Sequence, residues 1–220
     1  MQTIFISGSD TGIGKTWVTQ VLVRAFSERA VGTVQVVKPV ETGVTPNAPQ
    51  DAPFAASGST GAVMVSHHTC LTFEEPIAPL DAARLEGRSL SFDELLGQVL
   101  ALPSADYRLV EGAGGLAVPL AADGRDWADF AAGLNAALVI LVVADRLGAI
   151  HQARTVAHYA ATRSLPFALI LNQIDDVAPS VRASNHRTLT DLGLPLLATL
   201  KRGECDLSPD ILEHLAQVVP

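Results

Sequence analysis

The amino-acid sequence predicts an α/β fold: one mostly parallel sheet with helices on both faces. Three observations carry this. Strand-like and helix-like segments alternate along the chain, the pattern of strands joined by crossover helices. Some strand runs, Ala137 to Ala144 above all, lack polar alternation, as in strands covered on both sides. The chemically informative polar residues fall just after these runs, and ligands of such sheets bind beyond the C-terminal strand ends. A length of 220 residues, 48% of them hydrophobic, suits one domain over 1–220 that buries a full core without disulfide or structural metal.

The first strand is Thr3 to Ser7, an apolar run ending in a glycine-bearing loop. Lys15 to Arg29 has helical spacing, with Val18, Val21, Leu22 and Phe26 on one face. Val34 to Val37 reads as a second buried strand. Pro39 to Pro53, rich in Pro, Gly, Thr and Asn, reads as a loop. Ser91 to Glu94 has the capping-box pattern and opens a helix through Leu102. Tyr107 to Val110 is a strand running into Glu111 to Gly115, and Ala137 to Ala144 is the next strand. A helix over Ala149 to Arg163, a strand over Phe167 to Leu171, a helix over Pro179 to Leu192 and a strand over Leu196 to Leu200 complete the alternation.

Charge and composition narrow the function. A net charge of −8 disfavours nonspecific attraction to nucleic acid or anionic membrane. The N-terminus carries no basic region followed by a long apolar run, so no leader peptide is expected and the protein is expected in the cytoplasm. The most apolar stretch, Ala136 to Ala144, is far below the roughly 20 residues of a spanning helix. Cys70 and Cys205 are expected to be reduced thiols. The spacing of His67, His68 and Cys70 is unlike a closed zinc site.

Gly8-Ser9-Asp10-Thr11-Gly12-Ile13-Gly14-Lys15-Thr16 lies between the first strand and first helix. Glycines let backbone N–H groups turn toward phosphate oxygens, and the helix start adds its positive end. Lys15 would reach the β/γ-phosphates and the Thr16 hydroxyl would ligate magnesium. The ordinary pattern GxxxxGK[ST] needs glycine at position 9, where Ser9 stands. The context still predicts a P-loop NTPase fold. Lys38 would stand near Lys15, and two close ammonium groups need an anion between them, such as a transferring phosphoryl group. Glu111 follows a strand as a magnesium-orienting acid would, and Gly112, Ala113, Gly114 and Gly115 allow close backbone approach. Taken alone, Asp51 reads as a loop acid or helix cap, with magnesium ligation as the second reading. Asn172-Gln173-Ile174-Asp175 invites two readings, Asp175 accepting from guanine or the Asn172 amide pairing with adenine.

Together these residues resemble the dethiobiotin synthetase family. Its phosphate loop is like G-T-D-T-x-V-G-K-T, which Gly8 to Thr16 matches with Ser9 at the extra position. Lys38-Pro39-Val40-Glu41-Thr42-Gly43 is similar to the family's K-P-V-x-[ST]-G, and Glu111 to Gly115 to its E-G-A-G-G. Phe73-Glu74-Glu75-Pro76 is similar to F-x-x-P, and Leu147-Gly148 matches its L-G. The resemblance implies an ATP- and Mg2+-dependent ligase of biotin biosynthesis. One amine of 7,8-diaminononanoate takes up CO2, supplied as bicarbonate, to form a carbamate. ATP phosphorylates the carbamate oxygen. The second amine then closes the ureido ring, releasing phosphate and leaving ADP.

The resemblance further implies that Lys15 and Lys38 stabilise the carbamate and migrating phosphoryl, and that Thr16, Asp51 and Glu111 ligate magnesium. Thr11, Gly12, Ile13, Gly14, Gly112, Ala113, Gly114, Asn172 and Gln173 would complete the nucleotide site, with Asn172 reading adenine. Thr42 and the helix start at Gly148, Ala149, Ile150 and His151 would hold substrate, in a homodimer whose partner subunit receives the substrate tail. A partitioning-type NTPase switch is a weaker reading, because such switches carry a second lysine early in the loop and Ser9-Asp10-Thr11 does not.

Overall fold

The computed structural model describes residues 1–29, 32–45, 50–207 and 215. In chain order the elements are β1 (Gln2–Gly8), α1 (Lys15–Glu28), β2 (Val34–Thr42), α2 (Asp51–Ala56), β3 (Val65–Phe73), α3 (Pro79–Leu85), α4 (Phe92–Leu100), β4 (Tyr107–Glu111), α5 (Trp127–Gly133), β5 (Leu138–Ala144), α6 (Ala149–Thr162), β6 (Phe167–Asn172), α7 (Pro179–Asp191) and β7 (Leu196–Leu200). The seven strands form one sheet in the order β3-β2-β4-β1-β5-β6-β7. Every pairing in it is parallel.

The order explains where a ligand belongs. From β1 the chain crosses to β2 on one side, and from β4 it crosses over β1 to β5 on the other. The connections diverge beyond the C-terminal ends of β1 and β4, and a crevice opens there. Two cores cover the sheet. One packs α1 and α2 against it through Val18, Leu22, Ala52 and Ala55. The other packs α3 to α7 through Ala82, Leu95, Trp127, Ala153 and Leu189. All seven residues of β5 are buried, and each large aliphatic there contributes roughly 1.5–3 kcal/mol by leaving water. That makes β5 the rigid floor beside the phosphate loop.

The structure corrects the sequence reading in several places. Lys38 lies inside β2, not after it, because the strand runs on to Thr42. Proline removes a ladder donor and is tolerated where a partner strand is missing. The ladder of β2 with β4 ends at Val37, so Pro39 falls where β4 has already left. Only residues 43–50 then separate β2 from α2; of these, 46–49 lie outside the described residues. Asp51, read as a loop acid or helix cap, is the first residue of α2, with Gln50 as the N-cap. Four elements went unread: the partly exposed edge strand β3 and the short helices α2, α3 and α5. At α4 the Ser91 side chain accepts from the Glu94 N–H, one half of the expected capping box, and the helix stops at Leu100. Glu111 and Asn172 are the last residues of their strands, not the first after them.

Candidate active site

The loop after β1 is built around backbone N–H groups. α1 starts at Lys15 with Gly14 as N-cap in left-handed geometry (φ 86°), no capping side chain and no acid in the first turn. Its first N–H groups are therefore left for an outside anion. A Cβ at Gly14 would sit 2.2 Å from Asn172 Nδ2, besides straining the positive φ. Asn172, buried at the end of β6, donates from that Nδ2 to the Ile13 carbonyl at 2.9 Å. β6 thus pins the tip of the loop. Gly8 is needed for a different reason: a Cβ there would meet the Val142 carbonyl oxygen at 2.4 Å. It serves the packing of β1 on β5, which accounts for a glycine one place earlier than the ordinary phosphate-loop pattern.

Five predicted residues converge beyond β1, β2 and β4. Lys38 Nζ donates to Glu111 Oε1 at 2.6 Å and lies 2.6 Å from Asp51 Oδ2. Thr16 donates its hydroxyl proton to the same Glu111 Oε1 at 2.8 Å, which leaves the Thr16 oxygen lone pairs open to a cation. Lys15 Nζ folds back on the Asp10 carbonyl at 2.8 Å. Burial, and next the repulsion of Lys38, push Lys15 down to about 8 from an ordinary lysine value. Burial alone would also depress Lys38, but Glu111 and Asp51 outweigh it and hold its ammonium above the usual range. The two lysines therefore differ: Lys38 is neutralised by two acids, and Lys15 lacks a close carboxylate.

Two residues absent from the sequence reading belong to this cluster. Thr19, fully buried one turn beyond Thr16, donates to Glu111 Oε2 at 2.8 Å. Glu41, also buried, accepts the Asp51 N–H on Oε1 at 2.8 Å. Burial pushes the Glu41 carboxyl upward, and the Asp51 N–H opposes this. Neither has a sequence signature, since each acts through a neighbour that only the fold supplies.

The remaining predicted residues fall into three groups. Gly12 and Thr11 lie exposed on the phosphate loop, and Gly112, Ala113 and Gly114 follow β4 beside it. Gln173 pairs with Asp145 at 3.2 Å, while Asp175 faces Arg146 at 3.3 Å. Thr42 ends β2 half-buried, and its neighbour Gly43 donates to the Glu75 carbonyl at 3.2 Å, which brings the Phe73–Pro76 segment alongside. Gly148 is the left-handed N-cap of α6, again with no capping side chain and no acid in the first turn. Ala149 is buried there, and His151 faces outward. A cavity of about 590 Å³ lies between the phosphate loop, the segment after Gly114 and α6; its walls include Ser9, Thr11, Val118, His151, Gln152 and Tyr159.

Comparison with known proteins places this geometry. An AAA domain family model matches residues 2–204. An ATP-dependent dethiobiotin synthetase of Anaeromyxobacter sp. (strain Fw109-5) is 42% identical over 177 residues, covering 79% of this chain and 77% of the relative. The chain belongs to the dethiobiotin synthetase family. A second synthetase, from Halalkalibacterium halodurans, is 36% identical over 223 residues, 98% of this chain and 89% of the relative. Among solved structures, a plasmid partition protein of Borrelia burgdorferi bound to AMPPNP superposes with a TM-score of 0.56 at 14% identity, covering 99% of this chain and 95% of that one. That likeness shows the fold alone. Dethiobiotin synthetases are ligases, and the expected family resemblance is thereby confirmed over nearly the whole chain. Among the described residues, no helix is long and apolar enough to cross a membrane.

Proposed function

We propose that this chain, acting as one domain over 1–220 in the cytoplasm, converts 7,8-diaminononanoate, CO2 and ATP into dethiobiotin, ADP and phosphate. The observation that carries this is the convergence of Lys15, Thr16, Lys38, Asp51 and Glu111 at one rim of the sheet. The chemistry needs positioning and charge neutralisation more than a strong base. The first amine attacks CO2 and loses a proton, giving a carbamate. A carbamate oxygen attacks the γ-phosphorus, and the bond to the ADP oxygen breaks. The second amine then attacks the carbamoyl carbon and loses a proton, the C–O bond to phosphate breaks with phosphate leaving, and the ureido ring closes.

In this reading the backbone of Thr11, Gly12, Ile13 and Gly14 cradles the phosphates. Lys15 leaves the Asp10 carbonyl for the β/γ-oxygens, and Lys38 faces the carbamate and the migrating phosphoryl. Glu111 to Gly114 flank the phosphates, and Asn172 and Gln173 stand at the adenine end. Thr42 holds the diamine end of the substrate. Its carboxylate tail meets the N-terminus of α6 at Gly148 to His151 in a homodimer, where uncapped N–H groups suit an anion.

The residues present fit magnesium. Thr16, Asp51 and Glu111 offer hard oxygen donors, and the Lys38 ammonium already bridges the two carboxylates as a cation would. Among the described residues no group of three or more His, Cys, Asp or Glu could hold a metal. Two acids and a hydroxyl suit an ion that keeps its waters and takes substrate phosphates as ligands. When bound, the metal supplies charge neutralisation at the phosphate oxygens.

The test is an assay with ATP, Mg2+, bicarbonate and 7,8-diaminononanoate, with the cyclic urea identified by mass spectrometry. Nucleotide hydrolysis that depends on the diamine and matches urea formation is the expected result. Diamine-independent hydrolysis without the urea contradicts the proposal.

A further inference from the structure

We propose that Thr19 and Glu41 are positioning residues that fix the two metal-binding carboxylates, Thr19 behind Glu111 and Glu41 behind Asp51. The inference rests on the magnesium reading above and extends it to groups that touch neither metal nor nucleotide.

Thr19 sits at the fourth residue after Lys15 on the same helix, and its hydroxyl lies 3.0 Å from the Lys15 carbonyl and 2.8 Å from Glu111 Oε2. A threonine inside a helix often bonds back to the carbonyl four residues earlier, and that would make it merely structural. The hydroxyl has one proton, however, and an ionised carboxylate can only accept. Glu111 is buried, with Oε1 taken by Lys38 and Thr16. Oε2 therefore receives the Thr19 proton. Glu111 is held at both oxygens, and its side chain cannot rotate away from the crevice without stranding a buried charge.

Glu41 does the equivalent work at α2. The N-cap residue Gln50 makes no side-chain capping bond. Glu41 reaches across from β2 instead and accepts the N–H of Asp51 itself. A slip in strand alternation makes this reach possible. Val34 and Val36 face the α1–α2 core, whereas Val37 and Val40 both face the other core. Across Lys38-Pro39 the phase shifts, so that Lys38 and Glu41 both engage Asp51. The second Glu41 oxygen is buried with no partner, a cost that packing alone does not repay.

Outer groups that orient metal ligands typically change affinity or activity 10–100-fold when lost. The decisive readout is Mn2+ binding followed by electron paramagnetic resonance, in the presence of a nonhydrolysable ATP analogue, with melting temperatures recorded for every variant. Thr19→Val and Glu41→Ala should weaken Mn2+ binding roughly 10–100-fold. Thr19→Ser and Glu41→Gln, which restore the donor and the acceptor, should recover most of it. In turnover, the half-saturating Mg2+ concentration should rise much more than kcat falls. Should Thr19→Val not fold, Thr19→Ala against Thr19→Ser makes the same comparison. Wild-type Mn2+ affinity in Thr19→Val and Glu41→Ala, while Asp51→Asn and Glu111→Gln lose binding, overturns the inference and leaves the metal assignment intact. Unchanged binding in Asp51→Asn and Glu111→Gln overturns both.

Discussion

Two ends of the same sheet bury cations in opposite ways. At the N-terminal end, Arg108 of β4 is 1% exposed. Its guanidinium donates to the Gln35 side chain at 2.7 Å, the Val99 carbonyl at 2.9 Å, and the Leu102 and Pro103 carbonyls at 3.1 Å each. These acceptors are neutral, and several belong to the end of α4, where carbonyls are left over and a cation is favoured. At the C-terminal end, Lys15 and Lys38 are packed close enough to repel, with two acids on Lys38 and one carbonyl for Lys15. Arg108 completes a structure. The lysine pair waits for a polyanion, and the difference separates a structural charge from a functional one.

The sharpest break of this comparison is Lys38→Ala. Loss of a cation facing a migrating phosphoryl should lower kcat on the order of 10⁴-fold, with an unchanged circular dichroism spectrum. A rate near wild type in steady-state kinetics would remove Lys38 from the mechanism. Arg108→Met comes next. It strands several buried acceptors at about 1–3 kcal/mol each, discounted for relaxation, so urea unfolding should show a loss of about 3–5 kcal/mol. The folded fraction should keep the wild-type KM for ATP.

Lys15→Met should act in the reverse sense on stability. Lys15 has a folded value of about 8, below its ordinary 10.5. The folded state therefore carries the full cost of the buried charge below pH 8, and the cost fades as pH rises from about 8 through 10.5. At pH 7 the variant without ligand should be more stable by about 1–3 kcal/mol, and this gain should shrink across that window. A destabilised Lys15→Met protein would show that the charge is already compensated. The smallest effect is expected far from either cation. Ser91→Ala removes the cap of α4 and should cost about 1 kcal/mol in thermal unfolding, with nucleotide binding untouched.

The uneven legibility of the sequence follows the same division. The phosphate loop, Glu111 and Asn172 were readable because each stands at or beside a strand end in a local pattern, and Lys38 was readable from the Lys38–Gly43 motif although it lies inside β2; the structure brings them to one rim. β5 was readable because burial on both faces leaves no polar residue in it. β3 was not, because an edge strand half-open to solvent carries His67, His68 and Thr69 amid its apolar residues. Pro39 hid the second half of β2, since proline marks a strand break unless the neighbouring strand is known to have ended. α5 is only seven residues, too short for a periodic pattern, although Asp126 gives it a full capping box. Thr19 and Glu41 were invisible for a deeper reason. Their partners, Glu111 and Asp51, lie 92 and 10 residues away, and only tertiary packing pairs them.

The central claim is that this rim is shaped for a triphosphate. Its most direct test is a crystal structure of the protein with a nonhydrolysable ATP analogue and Mg2+. The account predicts phosphates lying along Gly12 to Thr16, with Lys15 Nζ moved off the Asp10 carbonyl onto a phosphate oxygen. Nucleotide bound elsewhere, with Lys15 still on Asp10, would contradict it.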